Sequence, residues 1–253
     1  MTVGGGGRHC PAMRIALMSD IHSTREAFAA CLAHAAAAGV ERHVFLGDFV
    51  GYGADPEWVV ATVMEHVANG AIAIAGNHDR AIGIERGGMN DTARRAIDWT
   101  RSRLDASATA FLAGLPLENE AEDRLYVHAD ASAPGQWRYV DDGAMAAASL
   151  AATRQRVTFC GHVHVPMLFD EDGGGPLADG TPAVLSSDRR WLAVVGSVGQ
   201  PRDRNPAAAY AIYDTVTTEL RGVRVGYDIA AASAKIRAVG LPEALAVRLA
   251  LGR

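Results

Sequence analysis

The chain has 253 residues, of which 49% are hydrophobic and 21% are charged, and its formal net charge is −5. This hydrophobic fraction excludes wholesale disorder, and no window reaches the ~18 consecutive apolar residues that a membrane helix needs. The acidic balance argues against a general nucleic-acid-binding protein, and the sequence gives no reason to expect a membrane partner.

Residues 1–13 are rich in glycine and lack the apolar stretch of a signal peptide, so we predict a disordered leader there. Cys10, Cys31 and Cys160 are an odd number of cysteines without CxxC spacing. A disulfide framework is therefore not expected, and a reducing cytoplasm is the simpler location.

The first part of the chain alternates between short apolar runs and helix-forming segments. Strands are predicted at 14–18, 43–46 and 71–75, a helix at 26–38, and a second helix that Asp55-Pro56-Glu57 opens and that ends near residue 68. Strands that alternate with helices at this spacing are typical of βαβ units in a parallel sheet.

The middle of the chain is more helical. We predict helices at 90–103 with Asn90 as the N-cap, at 107–114 with Ser107 as the N-cap, and at 145–152, with a strand at 124–127.

The last third contains short strand-like runs between turn residues. The predicted strands are 157–160, 166–169, 183–185, 191–195, 208–214 and 219–225. They indicate an antiparallel meander in which 173–176 is a loop tip, followed by an amphipathic helical tail at 228–253. Neither an internal repeat nor a linker divides the chain, so we predict a leader followed by one α/β domain, 14–253, with two packed sheets.

Polar segments directly follow five of the predicted strands. They are Asp20-Ile21-His22, Gly47-Asp48, Gly76-Asn77-His78-Asp79, His128 and Gly161-His162-Val163-His164. In an extended chain residues i and i+2 point to one side, so each D-x-H or H-x-H pair would present two ligands together. Ligands collect at the carboxyl ends of strands in α/β sheets, and imidazole with carboxylate suits divalent metals.

Each segment alone is weak evidence, because a D-x-H, an H-x-H or an Asn-His pair after glycine occurs often in ordinary polar loops. Five such segments in one order, each after an apolar run, favour a metal site over that alternative. The other four histidines, His9, His34, His43 and His66, are expected to be structural or solvated.

The ordered motifs D-x-H, G-D, G-N-H-[DE], H and G-H-x-H resemble the calcineurin-like metallophosphoesterase superfamily, over residues 14 to about 228. The segments 47–53 and 196–203 resemble its small bacterial phosphodiesterase branch. The resemblance implies an αββα sandwich in which two mixed β-sheets are flanked by helices.

The same resemblance implies two divalent metal ions bridged by Asp48, with Mn favoured and Fe, Zn and Ni as the other candidates. The ligands implied for the two metals are Asp20, His22 and His164 for one, and Asn77, His128 and His162 for the other. His78 would be a catalytic acid facing the substrate, and Asp79 would orient its imidazole. A metal-bridging hydroxide would then attack a phosphate ester.

Two further residues are candidates for substrate binding. Arg202, beside a glycine-rich turn, would grip a phosphate, the alternative being an ion pair with Asp203 or Asp214. Tyr52 would stack on a base or an aryl leaving group, the alternative being packing against the neighbouring helix.

We therefore expect a phosphodiesterase or phosphatase acting on a small phosphate ester such as a nucleotide. Within the same class, the alternatives are a serine/threonine phosphoprotein phosphatase and a dinucleoside-polyphosphate hydrolase. The alternative from another class is a non-catalytic metal-binding scaffold, against which the complete set of motif residues argues.

Overall fold

Two six-stranded sheets form the centre of the protein, in a computed structural model that describes residues 12–83 and 89–253. The first sheet contains, in spatial order, β3 (Ile72–Ala73), β2 (Arg42–Phe45), β1 (Arg14–Met18), β11 (Ala208–Asp214), β12 (Glu219–Val225) and β9 (Ala183–Val184). The second contains β4 (Glu118–Ala121), β5 (Arg124–Val127), β6 (Val157–Cys160), β10 (Trp191–Val194), β7 (Met167–Asp170) and β8 (Gly173–Pro176).

Both sheets are mixed. β1, β2 and β3 are parallel, which confirms the predicted βαβ units, and β11 joins them as an antiparallel neighbour of β1. In the second sheet β5, β6 and β10 are parallel, whereas β7 is antiparallel to β10. The predicted antiparallel pairing is confirmed for β7 with β8 and for β11 with β12, but the single meander is wrong, because β6 and β10 are parallel and the late strands are divided between the two sheets. Short, fully apolar strands carry no signal that selects the direction of their partner.

Eight α-helices of the described segments flank the sheets. They are α1 (Arg25–Ala37), α2 (Pro56–Ala68), α3 (Asn77–Gly83), α4 (Asp91–Arg103), α5 (Ala106–Gly114), α6 (Gly143–Ala151), α7 (Ile229–Ala238) and α8 (Glu243–Leu251). The predicted C-terminal tail is two helices, because Gly240 at φ +74° and Pro242 interrupt it. Within the described residues, no helix is long and apolar enough to cross a membrane.

The alternation of side chains along β1 shows how the layers are built. Ile15 and Leu17 belong to the core between the sheets, which also holds Tyr126 and Phe159 of the second sheet. Ala16 and Met18 face the opposite way, into the core that α1 and α2 cover. A third core lies between the second sheet and α6. This period of two confirms the predicted αββα arrangement of two mixed sheets flanked by helices.

Three local predictions differ from the structure. Residues 173–176 form strand β8 against β7 and not a loop tip, with Gly174 beside Phe169, where the contact leaves no room for a Cβ atom. Asp105 and not Ser107 caps α5, since its Oδ1 accepts from the Ala108 N–H at 2.8 Å. Asp55 precedes α2 as predicted, but its carboxylate binds Lys235.

Most of the predicted leader lies outside the described residues. Met13, its last residue, already belongs to the fold, because its N–H donates to Thr215 Oγ1 at 3.0 Å and its carbonyl accepts from the Thr215 N–H at 3.0 Å. Cys31 and Cys160 are buried and free, and Cys10 lies outside the described residues.

Candidate metal centre

The five polar segments meet where strands of both sheets end. Asp20, Asp48 and Asn77 follow β1, β2 and β3 of the first sheet, whereas His128 and His162 follow β5 and β6 of the second. A cavity of about 90 Å³ opens there. Its lining includes Asp48, Tyr52, Asn77, His78, Met89, Asn90, Ala93, Tyr139, His162, His164 and Arg202.

Tight left-handed turns, and not extended chain, aim the side chains into this region. Asp20, His22, Asp48, His162 and His164 have φ angles of 54°, 48°, 55°, 66° and 64°. The paired residues do converge, as predicted. The predicted reason, an extended chain in which residues i and i+2 point to one side, is wrong. Non-glycine residues adopt this conformation at a cost of ~1–2 kcal/mol each, and such strain clusters at functional sites.

The predicted carboxylate and imidazole ligands form two clusters. Asp20, His22 and His164 are one set, and Asp48, His128 and His162 are the other, each with ligand atoms within 4.8 Å of one another. Asp48 lies between the clusters, because its Oδ2 is 3.4 Å from His128 Nε2 and 3.7 Å from His22 Nε2.

Backbone carbonyls set the tautomer of the histidines. His22 Nδ1 donates to the Val50 carbonyl at 3.1 Å, and His128 Nδ1 donates to the Leu46 carbonyl at 2.7 Å. When one ring nitrogen carries the proton for such a bond, the other presents a lone pair. Nε2 is therefore the free nitrogen of both rings.

The other two histidines also donate one ring nitrogen to a backbone carbonyl, but the two residues use different nitrogens. His164 Nδ1 donates to the Gln200 carbonyl at 2.7 Å, whereas His162 donates through Nε2 to the Trp137 carbonyl at 2.9 Å. Nε2 of His164 and Nδ1 of His162 are left as the free nitrogens. The H-x-H pair therefore presents different nitrogens to the two clusters.

These free nitrogens face each other in pairs. His22 Nε2 is 3.3 Å from His164 Nε2, and His128 Nε2 is 3.2 Å from His162 Nδ1. Two lone pairs at these distances repel each other unless a cation or a proton lies between them. Asp20 Oδ1 and Asn77 Oδ1 are also buried without a hydrogen-bond partner. This donor set fits divalent metal ions.

Burial and charge have opposite effects on the pKa values of Asp48 and His128. Burial alone would raise the pKa of Asp48, but His128, His78 and His22 lower that pKa well below its usual range. Burial opposes ionisation of His128 as well, yet Asp48 raises the pKa of this imidazole to about 9. The negative charge of Asp48 therefore favours positive charge at this cluster.

His78 lies at the edge of the clusters and lines the cavity. Its backbone N–H donates to Asp48 Oδ1 at 2.8 Å, and its ring centroid is 4.5 Å from that of Tyr52. Its Nδ1 is buried against Gly51 without a hydrogen-bond partner. Nε2 is therefore the nitrogen that can meet a molecule in the cavity. Burial lowers the pKa of His78.

Asp79 does not orient His78, and that prediction was wrong. Its carboxylate accepts from the backbone N–H groups of Asp48 at 2.7 Å, Phe49 at 2.9 Å and Gly76 at 2.9 Å. Among the described residues, no hydrogen bond joins it to the His78 imidazole. Burial, then the charge of Asp48, raise the pKa of Asp79 to about 7. Asp79 fixes the backbone that carries Asp48.

The two candidate substrate-binding residues lie at the cavity. The alternative ion pairs of Arg202 are wrong, because Asp203 binds Arg224 and Asp214 binds Arg14. Tyr52 lines the cavity. It also packs in an apolar cluster with residues of α4, α7 and α8, which agrees with the alternative that Tyr52 packs against a neighbouring helix.

Several residues at the site were not anticipated from the sequence. Tyr139 stacks on His162 with ring centroids 4.3 Å apart, and the carbonyls of Trp137 and Gln200 hold two of the imidazoles. No spacing identifies them, because they come from irregular segments whose position depends on tertiary packing.

Comparison with known proteins identifies the family. Residues 13–218 match the calcineurin-like phosphoesterase superfamily domain. The chain is 36% identical over 250 residues to an uncharacterized protein of Methanocaldococcus jannaschii, covering 94% of this chain and 98% of that protein.

Two solved structures extend the likeness to the fold. A metallophosphoesterase from Sphaerobacter thermophilus superposes with a TM-score of 0.87 at 36% identity, covering 96% of this chain and all of that one. A hypothetical protein from Pyrococcus horikoshii has the same fold, with a TM-score of 0.76 at 18% identity over 95% of this chain and 98% of that one. The expected resemblance to the superfamily is confirmed, and this chain belongs to the calcineurin-like phosphoesterase superfamily.

Proposed function

We propose that this phosphoesterase hydrolyses small phosphate esters, diesters or monoesters, with two divalent metal ions held at the two clusters. The observation that carries the proposal is the arrangement of the four imidazoles. Each donates one ring nitrogen to a backbone carbonyl and directs the other into a cluster, with Asp48 between the clusters. Such preorganised second-sphere bonds are typical of metal-binding histidines.

The proposed ligands divide between the clusters. Asp20, His22 and His164 would hold one metal, Asn77, His128 and His162 the other, and Asp48 both. The unpartnered oxygens of Asp20 and Asn77 support their inclusion. Manganese is the favoured ion, with Fe, Zn and Ni as the other metals that this mixture of imidazole and carboxylate suits.

When bound, divalent cations would lower the pKa of water and offset the charge of a phosphoryl group. The protein's own groups then position and protonate the substrate. His78 lines the cavity, and its Nε2 would give a proton to the leaving oxygen. The backbone around Asp48 is held rigid by Asp79, and Arg202 would hold a phosphoryl oxygen.

Turnover of chromogenic esters tests this function. Purified protein with added Mn²⁺ is expected to hydrolyse bis(p-nitrophenyl) phosphate or p-nitrophenyl phosphate, whereas a scaffold protein would hydrolyse neither. Absence of turnover with both esters, at saturating Mn²⁺, Fe²⁺, Zn²⁺ or Ni²⁺, would refute the proposal.

The role of His78 has a separate test, because His78 also lies within 4.8 Å of ligand atoms of His22 and Asp48. We expect His78→Gln to lower kcat about 10²–10⁴-fold while the bound metal is retained. His34→Gln is the matched control, since His34 lies on α1 and contacts the Tyr210 hydroxyl. Loss of metal from His78→Gln, measured by elemental analysis, would make His78 a ligand and not an acid.

A further inference from the structure

Two arginines from distant parts of the chain meet beside the metal centre. Arg202 donates through Nη2 to Gln200 Oε1 at 2.9 Å, and Arg248 of α8 donates through Nη1 to the same oxygen at 3.1 Å. Gln200 is buried, with its N–H on Ser197 Oγ at 2.8 Å. One neutral oxygen therefore brings two positive guanidinium groups together.

This arrangement is built by the C-terminal helices, which lie beyond the region 13–218 that matches the family. The Arg204 N–H donates to the Gly252 carbonyl at 2.8 Å, which holds the end of α8 on the loop that carries Arg202. Leu245 and Leu249 of α8 pack in the same apolar cluster as Tyr52. The helix that carries Arg248 is thus held at its C-terminal end by this loop and along its length by apolar packing.

The positive charge of the pair is not balanced within the described part of the chain. No ion pair joins Arg202 or Arg248 to a carboxylate there, and Arg202 Nε is buried without a partner. Neighbouring arginines differ, since Arg224 binds Asp203 and Arg237 binds Glu243. Like charges at close range are unfavourable, and a bound anion would offset that repulsion.

The pair is also directly connected to the metal centre. The Gln200 carbonyl accepts from His164 Nδ1 at 2.7 Å, and the Arg202 N–H donates to the His164 carbonyl at 3.2 Å. Arg202 lines the cavity together with Asp48 and His78. An anion bound by the two arginines would therefore lie beside a phosphate ester at the metals.

We propose that Arg202 and Arg248 form an anion subsite that binds a second phosphoryl group of the substrate. The preferred substrates are then esters with phosphate beyond the group that is hydrolysed, a class that includes nucleoside polyphosphates. This inference rests on the proposed function, because it takes the scissile phosphate to lie at the metal centre.

Calorimetric titration of the Mn²⁺-loaded protein, with free Mn²⁺ in excess, tests the subsite without turnover. The two probes are methylphosphonate, which has one phosphoryl group, and methylenediphosphonate, which has two and resists hydrolysis. The wild-type protein is expected to prefer methylenediphosphonate. Arg248→Gln and Arg202→Gln should each reduce that preference about tenfold, the effect of removing a charge-assisted hydrogen bond.

The ratio of the two affinities does not depend on the fraction of protein that is folded, so it separates recognition from stability. Arg237→Gln is the control, because Arg237 is exposed and pairs with Glu243 on the same helix pair. An unchanged ratio in Arg248→Gln, or an equal fall in Arg237→Gln, would overturn the subsite. Failure of the proposed function is recognised separately, as absence of ester hydrolysis by wild-type protein.

Discussion

Several side chains at the centre are held by hydrogen bonds to backbone groups. Asp79 shows this best, since it is buried and its two oxygens accept from the N–H groups of Asp48, Phe49 and Gly76. Those N–H groups belong to the turns that place Asp48 between the clusters. Asp79 is therefore a positioning residue with no contact to the cavity.

Asp79→Asn is expected to destabilise the protein by about 2 kcal/mol, because the amide NH₂ would face backbone donors and leave them unpaired. The turn that carries Asp48 would loosen, so bound metal should fall together with stability. Urea unfolding and elemental analysis measure both. Asp98→Asn is the control, since that carboxylate is 51% exposed and pairs with Arg101. A pure loss of kcat with normal stability and metal content would contradict this role.

Among the secondary-structure elements, the C-terminal helices α7 and α8 pack beside the cavity and help to hold its wall in place. The cluster that contains Tyr52 joins α4, which carries Ala93 and Ala96, to α7 and α8, which carry Ile236 and Leu245. Ser233 Oγ of α7 also donates to the Ala246 carbonyl of α8 at 3.0 Å. The two helices therefore act as one packed unit against the cavity wall.

Leu245→Ala is expected to lower the free energy of unfolding by about 2–5 kcal/mol, because Leu245 is fully buried and the neighbours cannot fill its space. Val247→Ala, on the exposed side of the same helix, should change it by less than about 0.5 kcal/mol. Thermal unfolding of both variants measures the difference. Equal stability of the two variants would show that α8 is not packed as described.

For the whole molecule, the candidate metal centre lies where the two sheets meet. Its proposed ligands follow β1, β2 and β3 on one side and β5 and β6 on the other, so a bound cation would link both layers. A cation that binds only the folded state stabilises it by mass action.

Removal of metal is therefore expected to lower the melting temperature. Mn²⁺ at one hundred times its dissociation constant should add about 2.7 kcal/mol of stability relative to the chelator-treated protein. In His128→Ala this Mn²⁺-dependent increase should be much smaller, whereas His34→Gln should retain it. Scanning calorimetry with and without Mn²⁺ measures the change, and an identical melting temperature in both conditions would argue against a metal at the sheet junction.

Local sequence patterns predicted much of the fold and most of the site. Apolar runs located β1, β5 and β6 closely, and Asn90 was correctly placed as the cap of α4, where its Oδ1 accepts from the Ala93 N–H at 2.9 Å. The residues of the five polar motifs are also the ones that come together at the site. Strand positions, helix caps and motifs depend on residues that are close together in the chain, so the spacing of residues in the sequence predicts them.

The sequence by itself therefore determined the family, the motif residues at the candidate metal centre and most strand and helix positions. The tertiary structure decided what depends on distant contacts: the division of the late strands between two sheets, the role of Asp79 as a backbone acceptor, and the meeting of Arg202 with Arg248. The physical reason is that a short apolar strand, a buried carboxylate or a helix arginine has several possible partners. Only packing of the whole chain selects one of them.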